Sequence, residues 1–202
     1  SVSNLILVLL MIHKAQWTPA KNSGMLAIKT FACGVMFLVV GIGVLAYESR
    51  TLSLGSIVEN SHALSCFVRT ISLAFIILAA SSQSGVWPFH RWLISSLNSP
   101  TPVSSFMHAG LVNGGGVLLA RFVPIFFHED ALLQVLFVLG VATLIVGGIW
   151  KLLQSDIKRM LACSTVTQMG FMFMQCGLGL FPAALAHICW HGLFKAFLFL
   201  RS

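Results

Sequence analysis

Long apolar runs joined by short polar links set the pattern of this chain, and none of them alternates strictly as a half-buried strand would. Hydropathy predicts membrane spans at residues 1–13, 25–47, 64–98, 101–127, 131–151, 156–177 and 181–200. The first reads as the second half of a span. About 20 helical residues cross the hydrocarbon layer, so 64–98 is too long for one straight crossing. It reads either as a helix followed by an interfacial amphipathic piece, or as a helix broken near Ser84-Gly85 and Pro88. The span at 101–127 opens with Thr101-Pro102, and proline in a first turn is well tolerated.

Composition narrows the class. The chain is 57% hydrophobic and 8% charged, whereas soluble domains carry about a quarter charged residues. The expected fold is an all-α polytopic membrane protein, one transmembrane domain over residues 1–202, in contact with membrane lipid. Disorder and a β-barrel fit badly. Both ends read as cut, with Ser1 in place of a start methionine and FLFLRS closing an apolar run, so an excerpt of a longer subunit is expected.

The net charge of +7 does not point to nucleic acid, because Lys and Arg sit mostly singly at the ends of apolar runs. Lys14, Lys21, Lys151 and Arg201, with Arg91, fall on one side. Arg50, Arg121 and Arg69 fall on the other, with Glu48, Glu59, Glu129 and Asp130. The positive-inside rule makes the first side cytoplasmic, and Trp17 and Trp150 lie at that boundary. The five cysteines form no CxxC pair and read as small buried hydrophobes rather than a disulfide framework. Gly114-Gly115-Gly116 lies in an apolar run with no preceding strand, which excludes a phosphate loop and favours close helix packing. Gly41 and Gly43 read the same way.

Candidate chemistry lies in the ionisable residues inside the spans. His187, His191 and Lys195 recur every four residues, so they climb one helix face about 6 Å apart. Three readings are open. Two histidines four apart can share a metal ion, although no third ligand is evident and Lys195 opposes a cation. They can be packed, hydrogen-bonded core histidines. Or they can relay protons, since imidazole both accepts and donates near neutral pH and buried ionisable groups mark ion pathways. The relay is the central reading. Lys158 and Arg159 either snorkel from a helix capped by Asp156 or Ser155, or Lys158 points inward with Thr165, Thr167 and Gln168 nearby. His108 shares a face with Ser104 and is flanked by Ser105 and Asn113; it reads as a core residue or as part of a hydrated channel. His90 reads as interfacial, and His13, His62 and His128 carry no particular signal.

Three motifs taken together, WPFHRWLISSLNSPTPVSSFMHAG, SDIKRMLACSTVTQMGFMF and HICWHGLFKAFLFL, resemble the antiporter-like subunits of proton-translocating NADH:quinone oxidoreductases, nearest the chain 5 (L-type) branch. The resemblance implies a bundle of about fourteen helices with two inverted five-helix repeats, each holding a discontinuous helix. It implies that Lys158 is the central connecting lysine, that His187, His191 and Lys195 continue the polar axis, and that His108 is the histidine after PTPVS. It also supports the broken option for 64–98. One position departs: pumping relatives carry a lysine five residues before the proline of the broken helix, where this chain has Gln83.

The phrase WPFHRWLISSLNSPTPVSSFMHAGLVNGGG resembles the DabB-type branch in particular. That resemblance implies a bacterial inner-membrane transport subunit rather than an enzyme, passing cations to drive inorganic carbon uptake with a large DabA-type partner. Zinc chemistry is then expected on the partner, and no cofactor in this chain. Two alternatives stand: a proton-pumping chain 5 subunit among other respiratory subunits, or a related cation antiporter; and a scaffold whose channel has decayed.

Overall fold

A computed structural model of the chain describes residues 2–12, 17–59, 64–96 and 99–201. His13, Lys14 and His62 of the sequence reading lie outside the described residues. Helices run up and down in sequence order, and no strand occurs among the described residues. The first is α1 (Val2–Met11), followed by α2 (Thr18–Ser49), which begins with proline in its first turn and ends at Arg50 in the left-handed region, φ 52°. At 32 residues α2 is longer than the 25–47 stretch expected from hydropathy. Hydropathy marks lipid depth, whereas Lys21, Asn22 and Ser23 are polar but helix-compatible and carry the helix beyond it.

The long 64–98 segment breaks where serine gives way to glycine. After a short α3 (Leu54–Glu59), α4 (Cys66–Ser84) stops at Gly85, φ 62°, whose N–H returns to Ser81 O. A turn leads into α5 (Arg91–Ser95), and the buried indole of Trp92 donates back to Ser82 O at 3.0 Å. A second interruption was not anticipated. The expected 101–127 span is divided into α6 (Thr101–Ala109), a 3-10 turn at Leu111–Asn113, α7 (Gly114–Arg121) and a short α8 (Val123–Phe126). Then come α9 (Asp130–Leu152), α10 (Ile157–Gly177) and α11 (Phe181–Arg201). Among the described residues five segments are long and apolar enough to cross a membrane: α2, α4, α6–α7, α9 and α11.

Contacts between helix ends separate two faces. At one, Ser23 Oγ donates to Ser95 O at 2.9 Å, and the His90 and Trp150 rings lie 4.6 Å apart. At the other, the buried Glu129 accepts from Arg69 Nε at 3.0 Å and from Thr70 Oγ1 at 2.9 Å, tying the start of α4 to the start of α9. Between the faces, α2 packs on α4, α4 on α7, α6 on α11, and α9 on α10. Large apolar side chains point outward along these helices, among them Met36, Val39, Val138 and Leu193, as a lipid-facing surface requires.

Glycine sets the closest approach, between α9 and α10. A Cβ built on Gly170 would lie 2.6 Å from the Leu144 nitrogen, and one on Gly140 would lie 2.7 Å from Gly170 O. Gly115 likewise faces the Ala80 backbone and Ser84, and Gly41 faces Ser72 O. Gly43 departs from expectation: nothing lies within 4 Å of it, because its side of α2 faces outward. The cysteine reading also needs correction. All five thiols are free, and Cys163 and Cys176 are buried, but Cys66 at the start of α4 and Cys189 on the outer face of α11 are exposed.

The glycine seam yields a test in the full-length protein. Gly170→Leu should lower stability by about 1–3 kcal/mol or more through overpacking against backbone, read as a lower thermal unfolding midpoint in detergent. Gly43→Leu should leave the midpoint unchanged within error.

Candidate functional site

The His187/His191/Lys195 stripe turns inward on α11. Lys195 is 1% exposed and His191 6%, while Leu193, Phe194 and Phe197 on the same helix face outward. Lys195 Nζ donates to Leu161 O, on the second turn of α10, at 2.9 Å. The same carbonyl accepts from Thr165 Oγ1 at 3.1 Å. The His187 and His191 rings lie 6.2 Å apart, and neither ring nitrogen of His191 has a protein partner. A cavity of about 420 Å³ opens beside them, lined also by Ser164, Gln168, Trp190 and Phe194. Among the described residues no three His, Cys, Asp or Glu side chains gather, so the metal reading of this pair gains no third ligand.

Asp156 caps α10 by accepting from the Arg159 backbone N–H at 3.3 Å. Lys158, half-buried on the same turn, reaches across to Thr101 Oγ1 at 3.0 Å, the first residue of α6. Capping and an inward lysine, set as alternatives in the sequence, therefore coexist. Leu161, whose carbonyl holds Lys195, follows Lys158 by three residues, about 4.5 Å along the axis. The neighbouring hydroxyls serve otherwise than expected. Thr165 and Thr167 donate to carbonyls four residues back on their own helix, and Thr167 packs against Gly147 of α9, on the side away from the stripe. Gln168 does line the stripe's cavity.

His108 is fully buried and stacks on Phe199, one turn beyond Lys195, with centroids 4.6 Å apart. Both its ring nitrogens lack a protein partner. Ser105 Oγ donates to Ala196 O at 3.5 Å, which holds α6 against α11 at this level.

Gln83 stands apart, on the opposite side of the interrupted helix. Its Nε2 donates to Leu111 O at 3.0 Å and to Asn4 Oδ1 at 3.2 Å, and its Oε1 accepts from Asn4 Nδ2 at 2.8 Å. Ser84 Oγ donates to Val112 O at 2.7 Å. Asn113 Nδ2 turns the other way, to Ala109 O at 2.8 Å and Ile188 O on α11 at 3.2 Å. The 3-10 turn thus ties α4 to α11. On its Gln83 side lies a second cavity of about 450 Å³, lined by Asn4, Ser82, Gln83 and Leu111 among others. Asn4 was not singled out from the sequence, its one available signal being a polar side chain in an otherwise apolar helix, and Ser84 was read only as marking the helix break.

Residues 2–202 match the family model described as NADH:quinone oxidoreductase/Mrp antiporter, TM. The chain is 39% identical over 198 residues to "Probable inorganic carbon transporter subunit DabB" of Bacillus subtilis, covering 97% of this chain and 39% of that protein. It is 50% identical over 133 residues to "Probable inorganic carbon transporter subunit DabB1" of Halothiobacillus neapolitanus, covering 65% of this chain and 24% of that one. It is also 33% identical over 189 residues to NADH-quinone oxidoreductase subunit L of Pseudomonas aeruginosa, covering 90% of this chain and 31% of the relative. The chain therefore spans well under half the length of these curated relatives. Among solved structures, a chain of the Mrp complex from Dietzia sp. superposes with a TM-score of 0.91 at 25% identity, over 97% of this chain and 22% of that one. With its motifs in family order and its broken helices in place, this multi-pass membrane chain belongs to the NADH:quinone oxidoreductase/Mrp antiporter transmembrane family.

Proposed function

We propose that the chain forms the proton-conducting part of a membrane transport subunit in an inorganic carbon uptake system, working with a large DabA-like partner in the bacterial inner membrane. The observation that carries this reading is Lys195: almost fully buried, held by one backbone carbonyl, and open to a cavity that it shares with two histidines. A buried ammonium bound to Leu161 O keeps two further N–H groups for water in that cavity. Neutral His191 accepts at one ring nitrogen and donates at the other, and the gap to His187 suits a bridging water. Lys158 and His108 extend the axis on either side, one through the first turns of α10 and the other through the α6–α11 contact.

The inorganic-carbon branch is supported by relatives of that description at 36–50% identity and by Gln83, an amide that cannot switch charge where pumping subunits carry a lysine. CO2 hydration and its zinc would then belong to the partner, and this chain would be a transport subunit rather than an enzyme. On this reading the face holding Lys21, Arg91, Lys151 and Arg201 is cytoplasmic. A second reading, chain 5 of a proton-pumping NADH:quinone oxidoreductase, is favoured by the subunit L relative, matched over 90% of this chain. The two part on company: purification of the full-length protein with one large zinc-binding subunit supports the first, and with quinone-reducing subunits the second.

In the full-length protein expressed with its partner, Lys158→Ala, His191→Ala and Lys195→Met should each lower gradient-dependent bicarbonate accumulation about tenfold or more, equivalent to about 1.4 kcal/mol on the limiting barrier. Membrane abundance should not change; wild-type accumulation in a well-expressed Lys158→Ala/His191→Ala double variant contradicts the proposal. Gln83→Leu should act differently. It strips partners from Leu111 O and Asn4, at about 1–3 kcal/mol for each orphaned group, so the thermal midpoint should fall while uptake per folded molecule persists.

A further inference from the structure

Outside the polar axis, on the face that carries Lys21 and Lys151, lies a cavity of about 550 Å³ between α2, α5, α9 and α10. Two guanidinium groups line it, Arg91 from α5 and Arg159 from α10, both exposed. Among the described residues no carboxylate lies within ion-pair distance of either, the ion pair there being Arg69–Glu129 on the opposite face. Asp156, the nearest acid along the chain, accepts the Arg159 backbone N–H. His90 adds a buried ring nitrogen with no protein partner, and its ring lies 4.6 Å from Trp150, which lines the same cavity. The remaining wall is mixed, with Leu26, Ile94 and Cys163 beside the polar Ser95 and Gln154.

We propose that this cavity binds the phosphate headgroup of an anionic phospholipid. Guanidinium presents paired N–H donors matched to phosphate oxygens, and basic pockets between transmembrane helices on the positively charged side hold such headgroups. The surroundings favour a lipid over a free anion. Ile145 and Ile149, on α9 on the membrane side of Trp150, are 52% and 54% exposed, an apolar surface for acyl chains deeper than the basic pocket. Trp150 lies at the level where indole prefers the boundary between headgroup and hydrocarbon. A phosphate bridging Arg91 and Arg159 would tie the short helix after the Gly85 break to the helix that carries Lys158. The site does not depend on what ion the axis conducts.

Native mass spectrometry of the full-length protein reconstituted with phosphatidylglycerol tests it. Wild type should retain the lipid through detergent exchange, and Arg91→Gln/Arg159→Gln should retain about tenfold less. Arg91→Lys/Arg159→Lys should fall between, and Lys21→Gln, an exposed lysine outside the cavity, should match wild type. Phosphatidylcholine should not be retained, and millimolar inorganic phosphate should not displace phosphatidylglycerol. Equal retention by the glutamine pair, or equal retention of phosphatidylcholine, overturns the site. Displacement by inorganic phosphate overturns the lipid as its occupant in favour of a soluble oxyanion. If the glutamine pair aggregates, Arg91→Gln and Arg159→Gln are measured singly; partial loss in each supports the proposal, and no loss in either overturns it.

Discussion

Hydrocarbon offers no water to a backbone carbonyl released from its helix, so each interruption within the membrane must be answered by the protein itself. The interior of this chain is organised around those answers. Trp92 takes Ser82 O, Gln83 takes Leu111 O, Ser84 takes Val112 O, and Asn113 spans to Ile188 O. The end of α4 and the break between α6 and α7 are therefore cross-linked to each other, and the second break is linked onward to α11. Where the ionisable groups come to rest follows from this lattice.

The crossing helices were legible because long apolar runs leave few alternatives, and the Gly85 break was legible because glycine and proline cluster there. The interruption at Gly110–Asn113 was not. Gly110, Asn113 and Gly114 are poor helix formers, but they sit within a continuous apolar run that reads as one span, and what stabilises the opened turn arrives from Gln83 and Ser84, 28 residues earlier. The Gln83–Asn4 pair, 79 residues apart, was hidden for the same reason. Spacing alone put His187, His191 and Lys195 on one face. The same spacing was silent about Lys158, whose turn borders both headgroups and interior, and about Thr165 and Thr167, whose hydroxyls were free to bond back to their own helix.

α10 joins these features. One side carries Gly170 and Gly177, pressed against the α9 backbone, which leaves that pair little freedom to shift. The other presents Lys158, the Leu161 carbonyl, Ser164 and Gln168 to the axis. Residues 156–177 read as a span from their apolar run, but Ser164, Thr165, Thr167 and Gln168 keep α10 out of the most apolar helices, and its burial between neighbours accommodates them. Glycines thus gather on one flank of the helix and Lys158, Ser164 and Gln168 on the other, the first fixing its position and the second using it.

The bond from Lys195 to Leu161 O carries one further consequence. A neutral amine keeps two N–H bonds, so it can go on donating to that oxygen after giving up its third. On the proposed reading the nitrogen would work as a fixed berth rather than a swinging arm: charge would arrive and depart while the four methylenes behind it stay moored.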